Sequence, residues 1–274
     1  MKHYGQMRRA IRILVSGSAF FVFFVGAAVI SWLMIPLLSL SFDPEVRRRR
    51  HQAMARFATR GFTRYMILTN MIETRWPPLP ANFPSGAYVM IANHPTLVDV
   101  TVVMTRFPEL STVVGRKWFA RRGLGGMLKA AGWIPSVPPG SDDDDTGSTL
   151  DGMLKALSEG IPMIIFPEGT RSDQDRLRRF RRGAVEAAIR AGVPIVPLFI
   201  GINQPMLMRG QPWYDVHEGV GVYTLEFWPV IETAGQDLDA RALNQELAAR
   251  YKARFARMLE SRKTLKALKA SERN

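Results

Sequence analysis

The 274-residue chain reads as an α/β protein: a mixed, largely parallel sheet flanked by helices, behind an apolar N-terminal segment that enters a membrane. Three observations predict this. Short, wholly apolar runs at 162–166 and 193–200 have the pattern of strands buried on both faces. Helical periods alternate with such runs, as in βαβ units. Residues 13–42 contain no charged side chain.

The apolar run comes first. Its thirty residues as one helix would reach about 45 Å, against a hydrocarbon core of about 30 Å. A signal peptide has an apolar region of only about 7–15 residues. Two membrane-inserted forms remain. One is a helical hairpin bending near Gly26-Ala27-Ala28, with Pro36 in its second arm; the other is a single tilted span. Lys2, Arg8, Arg9 and Arg12 precede the run, and Arg47, Arg48, Arg49, Arg50, Arg56 and Arg60 follow it. Positive charge on both flanks pulls both ends toward the cytoplasm, which a hairpin satisfies. Residues 1–45 are therefore expected to anchor the chain at the cytoplasmic face of the inner membrane, through 13–42. Residues 46–274 are expected to form one further domain.

Within that domain, 45–75 reads as an amphipathic, arginine-rich helix, and the proline-rich 76–84 as a linker. A strand follows at 87–92, a helix at 96–107 and a strand at 110–114. A helix over 118–131 carries a break at Gly123-Leu124-Gly125-Gly126. A loop at 136–148 holds Asp142, Asp143, Asp144 and Asp145. Beyond it come a helix at 149–159, a strand at 162–166, a helix at 184–191 closed by Gly192, and strands at 193–200 and 223–231. One or two amphipathic helices fill 238–269.

Composition narrows the chemistry. With no cysteine, there is no disulfide and no thiolate nucleophile. Lys and Arg outnumber Asp and Glu by 37 to 24, which favours polyanionic partners: nucleic acid, anionic lipid or an acidic carrier protein. Nucleic acid lacks support, because no helix-turn-helix or zinc signature is present and the arginines are not interleaved with stacking aromatics. There is no G-x-S-x-G elbow and no H-E-x-x-H metal motif.

Three segments carry candidate chemistry. Asn93-His94-Pro95-Thr96-Leu97-Val98-Asp99 follows the 87–92 strand, which places His94 at a strand's carboxyl end, where open α/β sheets hold their sites. Asp99 then falls on the first turns of the next helix. At that spacing a carboxylate can reach the imidazole, fix its tautomer and raise the basicity of the other nitrogen. A capping or core histidine would show the same pattern. Phe166-Pro167-Glu168-Gly169-Thr170-Arg171-Ser172 ends another buried strand. Its glycine permits close backbone approach, and its arginine offers a planar fork for phosphate. Glu168 could orient that arginine or bind a polar head group. A plain turn with a surface ion pair is the competing reading. Phe180-Arg181-Arg182-Gly183-Ala184 and Val193-Pro194-Ile195-Val196-Pro197 follow in order.

Together these segments resemble the glycerolipid acyltransferase family that contains the bacterial 1-acyl-glycerol-3-phosphate acyltransferases. The likeness covers roughly residues 85–230. His94 and Asp99 match the His-x4-Asp block, and FPEGTRS resembles the acceptor-binding block. Gly115-Arg116-Lys117-Trp118-Phe119 is similar to the intermediate block. The resemblance implies transfer of an acyl group from acyl-CoA or acyl carrier protein to a lysophospholipid hydroxyl, most simply that of 1-acyl-glycerol-3-phosphate. No metal or cofactor is implied, and membrane lipids are the expected partners. It makes His94 the general base and Asp99 the group that orients it. Lys117, Glu168, Gly169, Thr170 and Arg171 would bind substrate. Two departures stand out. Thr96 replaces the usual serine, keeping the hydroxyl and its capping role. The aspartate run stands where relatives using lysophosphatidate commonly carry an arginine. It reads either as a solvated loop or as the mark of a different acceptor, such as an aminolipid.

Overall fold

The computed structural model describes residues 2–137, 149–217 and 219–271. The aspartate run therefore lies outside the described residues. At the N-terminus, α1 (Lys2–Val29), a π-helical turn (Ile30–Met34) and α2 (Ile35–Leu38) follow one another without interruption. The bend expected at Gly26-Ala27-Ala28 does not occur, and the segment forms one continuous rod. Pro36 cannot donate, and its ring crowds the carbonyl one turn earlier. The widened turn absorbs this, with Ile35 N–H reaching back to Ile30 O. One helix in this region, Arg9–Leu38, is long and apolar enough to cross a membrane.

The chain does fold back, but later. It reverses after α2, and α3 (Pro44–Leu68) returns along the rod. Ser18 Oγ lies 2.7 Å from Tyr65 OH, Phe23 and Phe62 meet edge to face at 5.3 Å, and Ser39 Oγ lies 3.0 Å from His51 Nε2. The rod's inner face carries small side chains, Ser16, Ala19 and Ala27, all buried. These allow close docking on the rest of the molecule. Ser16 Oγ donates to Trp213 O at 2.6 Å. Ser31 Oγ donates to Gly123 O at 3.0 Å and accepts from Met127 N at 3.1 Å. The outer face is a row of exposed apolar residues that includes Leu14, Phe21, Trp32 and Leu33.

Where one helix was expected over 45–75, α3 stops at Leu68 and an edge strand, β1 (Ile72–Arg75), follows. Asn70 takes a left-handed conformation at φ 53° and turns the chain. The remaining elements are β2 (Val89–Ala92), α4 (Asp99–Arg106), β3 (Ser111–Gly115), α5 (Arg116–Phe119), α6 (Gly125–Ala130) and β4 (Ile134–Ser136). They continue with α7 (Thr149–Ser158), β5 (Met163–Ile165), α8 (Gly183–Ala191), β6 (Ile195–Ile202), β7 (Gly221–Phe227) and α9 (Ala240–Ser271). The glycine break between α5 and α6 falls at Gly123, φ 80°.

The seven strands run in the order β1-β7-β6-β2-β5-β3-β4. Every pairing is parallel except β6 with β7. The central strands β2, β5 and β6 are buried along their whole length. Alternate residues serve opposite faces. Met90, Ile164 and Leu198 pack toward Met66 of α3 and Val102 and Val103 of α4. Ile91, Ile165 and Phe199 pack toward Met153 of α7, Val185 of α8 and Tyr251 of α9. Each such fully buried side chain contributes about 1.5–3 kcal/mol. Prolines at the start of the β6 region contribute acceptors only: Pro194 O takes Val89 N–H at 2.9 Å, and Pro197 O takes Trp228 N–H at 3.0 Å. Because β2, β5 and β3 are parallel neighbours, the loops leaving them meet at one edge, which carries the His94 and Glu168 motifs and residues 115–119; the 193–197 segment opens β6 at the opposite edge.

Candidate active site

The first loop leaves β2. Asn93 fixes its origin, donating through Nδ2 to Ile200 O at 2.8 Å and accepting Ile200 N–H at 2.7 Å. A buried amide thus staples β2 to β6 one residue before His94. The five-residue spacing closes as a hydrogen bond, with His94 Nδ1 lying 2.7 Å from Asp99 Oδ2. Asp99 is fully buried at the first turn of α4, where a carboxylate also suits the helix dipole. Its oxygens take two more donors: Thr96 N–H to Oδ2 at 2.8 Å and Thr96 Oγ1 to Oδ1 at 2.6 Å. An ionised carboxylate accepts only, so the proton of this pair sits on Nδ1, and Nε2 is left as the basic nitrogen. The ring stacks on Phe166 at 4.3 Å, and the side chain keeps 16% of its surface open.

Thr96 departs from the capping role expected of it. Val98 holds the N-cap of α4 with no side-chain cap. The Thr96 hydroxyl instead faces Asp99, Val98 N–H at 3.2 Å and the Tyr223 hydroxyl.

The second loop leaves β5. Glu168 is only 4% exposed. Oε1 accepts His94 N–H at 3.1 Å and Ser172 Oγ at 2.7 Å; Oε2 accepts Arg178 N–H at 2.8 Å. Ser172 N–H in turn reaches His94 O at 2.7 Å. Glu168 therefore ties the two loops together, a post that the sequence did not suggest. Burial raises its pKa above the ordinary 4.5, and these three donors partly offset the rise. Gly169 turns the chain at φ 68°, and a Cβ there would meet Arg181 Cζ at 3.0 Å. The left-handed turn favours glycine, and the flexible end of the Arg181 side chain lies over it.

Arg171 is half-buried. Its Nη1 donates to Leu207 O at 2.7 Å and Met208 O at 3.1 Å. Burial lowers its pKa, Asp99 opposes that, and Arg209 adds to it. Thr170 and Lys117 are exposed, Lys117 on α5 just beyond β3. Asp173 gathers three guanidinium groups, from Arg176 at 3.2 Å, Arg178 at 3.3 Å and Arg209 at 3.4 Å. Arg179, Arg181 and Arg182 are exposed nearby.

The family model described as Acyltransferase matches residues 78–201, the stretch that holds both loops. Residues 78–201 are thus similar to the acyltransferase family. The chain is 27% identical over 171 residues to a 1-acyl-sn-glycerol-3-phosphate acyltransferase of Cocos nucifera, covering 62% of this chain and 53% of that one. It is 30% identical over 125 residues to 1-acyl-sn-glycerol-3-phosphate acyltransferase alpha of Homo sapiens, covering 44% and 43%. The chain thus spans about half the length of these relatives or less. The crystal structure of the 1-acyl-sn-glycerophosphate (LPA) acyltransferase PlsC from Thermotoga maritima has the same fold. The TM-score is 0.70 at 16% identity, over 92% of this chain and 98% of that one.

Asn93, Phe166 and Ser172 lie inside the quoted motifs, so their neighbours pointed to them. Tyr223 and Arg209 lie outside residues 78–201 and carry no local signal.

Proposed function

We propose that this chain transfers an acyl group from a thioester, acyl-CoA or acyl carrier protein, to the free hydroxyl of 1-acyl-sn-glycerol-3-phosphate at a membrane surface. The observation that carries this reading is the His94 Nδ1–Asp99 Oδ2 bond at 2.7 Å, at the sheet edge that also holds Arg171. Relatives named for that acceptor support the choice of hydroxyl.

With Nδ1 committed to Asp99, Nε2 takes the acceptor's hydroxyl proton. The oxygen attacks the thioester carbonyl carbon. As the tetrahedral intermediate collapses, the C–S bond breaks and His94 returns the proton to the leaving thiolate. No covalent acyl-protein forms. Arg171 has donors beyond the Nη1 pinned to Leu207 and Met208, and these hold the acceptor phosphate, with Lys117 as a second cation. Gly169 and Thr170 supply the exposed turn along which the head group lies.

The outer apolar row of α1 and α2 supports insertion of the rod into one leaflet, lengthwise rather than across. Its inner face is already occupied by the domain from Ser16 to Ser31. Basic residues at the surface of an anionic leaflet add about 1 kcal/mol each.

The test is an assay of purified protein with acyl-CoA and acyl carrier protein donors and a panel of lysolipid acceptors, read by lipid mass spectrometry. His94→Ala is expected to lower acyl transfer to lysophosphatidate by about 10²–10⁴-fold. Unchanged transfer would remove His94 as the base. Release of free fatty acid without acylated lipid would point to thioester hydrolysis instead.

A further inference from the structure

We propose that Tyr223 is a positioning residue for the base: its buried phenol heads a one-way chain of hydroxyl donors, Tyr223 to Thr96 to Asp99, that holds the carboxylate on His94 Nδ1. This inference rests on His94 being the base and extends that reading to a residue 129 positions further along the chain.

The direction follows from counting protons. Asp99 as a carboxylate can only accept. Thr96 has one hydroxyl proton, and it goes to Asp99 Oδ1 at 2.6 Å. In the hydrogen bond between Thr96 Oγ1 and Tyr223 OH, Thr96 must then be the acceptor and Tyr223 the donor. Val98 N–H donates to the same Thr96 oxygen at 3.2 Å. The Thr96 hydroxyl is thereby saturated, with two donors received and one proton given. The phenol keeps the proton this requires, because burial, reinforced by the charge of Asp99, raises its pKa well above the ordinary 10.0.

The phenol also lies within hydrogen-bonding reach of Asp99 itself, so both of its contacts end on the same carboxylate and favour one arrangement of it. If Tyr223 stops donating, the threonine hydroxyl loses the partner that sets its rotor, and Asp99 Oδ1 loses a fixed donor. The carboxylate can then rock away from the imidazole, and the tautomer that exposes Nε2 is held less firmly. Tyr223 sits on β7, beside β6 and β1, in the part of the sheet outside residues 78–201. Its ring alone would fill that core position equally well as phenylalanine. The hydroxyl is what reaches the His94 loop. The charge of Asp99 is also felt by Arg171, which lies outside this chain of donors.

The test is a double-mutant cycle on kcat, with lysophosphatidate and a long-chain acyl-CoA, using the full chain as wild type, Tyr223→Phe, Thr96→Val and the double variant. Tyr223→Phe should lower kcat roughly tenfold, the loss of one buried hydrogen bond, with both KM values unchanged. In the Thr96→Val background the same change should have a smaller effect, because the route through Thr96 is already cut. The inference is overturned if Tyr223→Phe keeps kcat within about twofold of wild type, or if the two losses multiply as independent packing defects do. Should Thr96→Val fail to fold, the split between kcat and KM in Tyr223→Phe decides alone. An inactive His94→Ala beside an unaffected Tyr223→Phe would overturn only this inference. An active His94→Ala would remove the base itself.

Discussion

The loop after β2 and the turn after β5 stand side by side, yet they are built in opposite ways. In the first, the polar atoms of Asp99 and Thr96 are buried and partnered inside the protein, with one imidazole left partly open. In the second, Gly169 and Thr170 are exposed, Arg171 is held among the described residues through Nη1, and arginines crowd the surface around it. The contrast matches two different demands. A base must be held in one orientation, which burial and saturated hydrogen bonds supply. A charged ligand must be met by donors that are still free. Glu168 is the joint between the two: a residue of the open turn whose carboxylate belongs to the closed loop.

The largest expected effect breaks the closed side. Asp99→Asn keeps the shape but presents an amide to Nδ1 and favours the wrong tautomer. Transfer should fall by about 10³–10⁴-fold, the scale of the same change in a catalytic triad, while circular dichroism stays native. Next, Arg171→Lys breaks the open side by replacing a fork with a point charge. It should lower kcat/KM for lysophosphatidate by about 10–10²-fold, the equivalent of one or two charge-assisted hydrogen bonds. A neutral lysolipid should lose less, and equal losses would dissociate Arg171 from the phosphate.

Glu168→Gln tests the joint. It sets an amide against three donors and should cost about 1–3 kcal/mol of stability, read from denaturant unfolding. Because burial lifts the pKa of Glu168 above 4.5, the folded state binds that proton more tightly than the unfolded chain. Its contribution is therefore greatest below the unfolded value and is lost as pH rises through the raised folded value. That slope in the unfolding midpoint should vanish in the glutamine variant. The smallest effect is Gly169→Ala, at about 1 kcal/mol for a left-handed residue, with Arg181 displaced. It would sharpen the comparison if it weakened acceptor binding while leaving kcat intact.

Much of this was legible because it is local. His94 and Asp99, or Gly169 and Arg171, are neighbours in sequence, and the chemistry of each motif requires only a strand end and a turn. The buried central strands were equally clear from wholly apolar runs. The edge strands β1 and β4 were not: four and three residues are too short for a period, and apolar spacing continues from α3 past Leu68 until Asn70 turns the chain. The hairpin expectation failed because Gly26 and Pro36 were read as breakers, whereas a widened turn accommodates the proline. The tie that Glu168 makes was not legible because its donors come from three segments, and Tyr223 was invisible because its partner lies 127 residues away.

The Ser31 hydroxyl has one more consequence. Gly123 O and Met127 N–H stand in the i to i+4 relation, but the hydroxyl of the apolar rod sits between them, taking one bond and giving the other. The opening turn of α6 is thus closed by a residue almost a hundred positions earlier. The Met127 amide can exchange its hydrogen with solvent only when the rod lifts away or α6 frays. Its exchange rate, measured in lipid and in detergent, reads how often the rod leaves its seat, from a single backbone site and without a label.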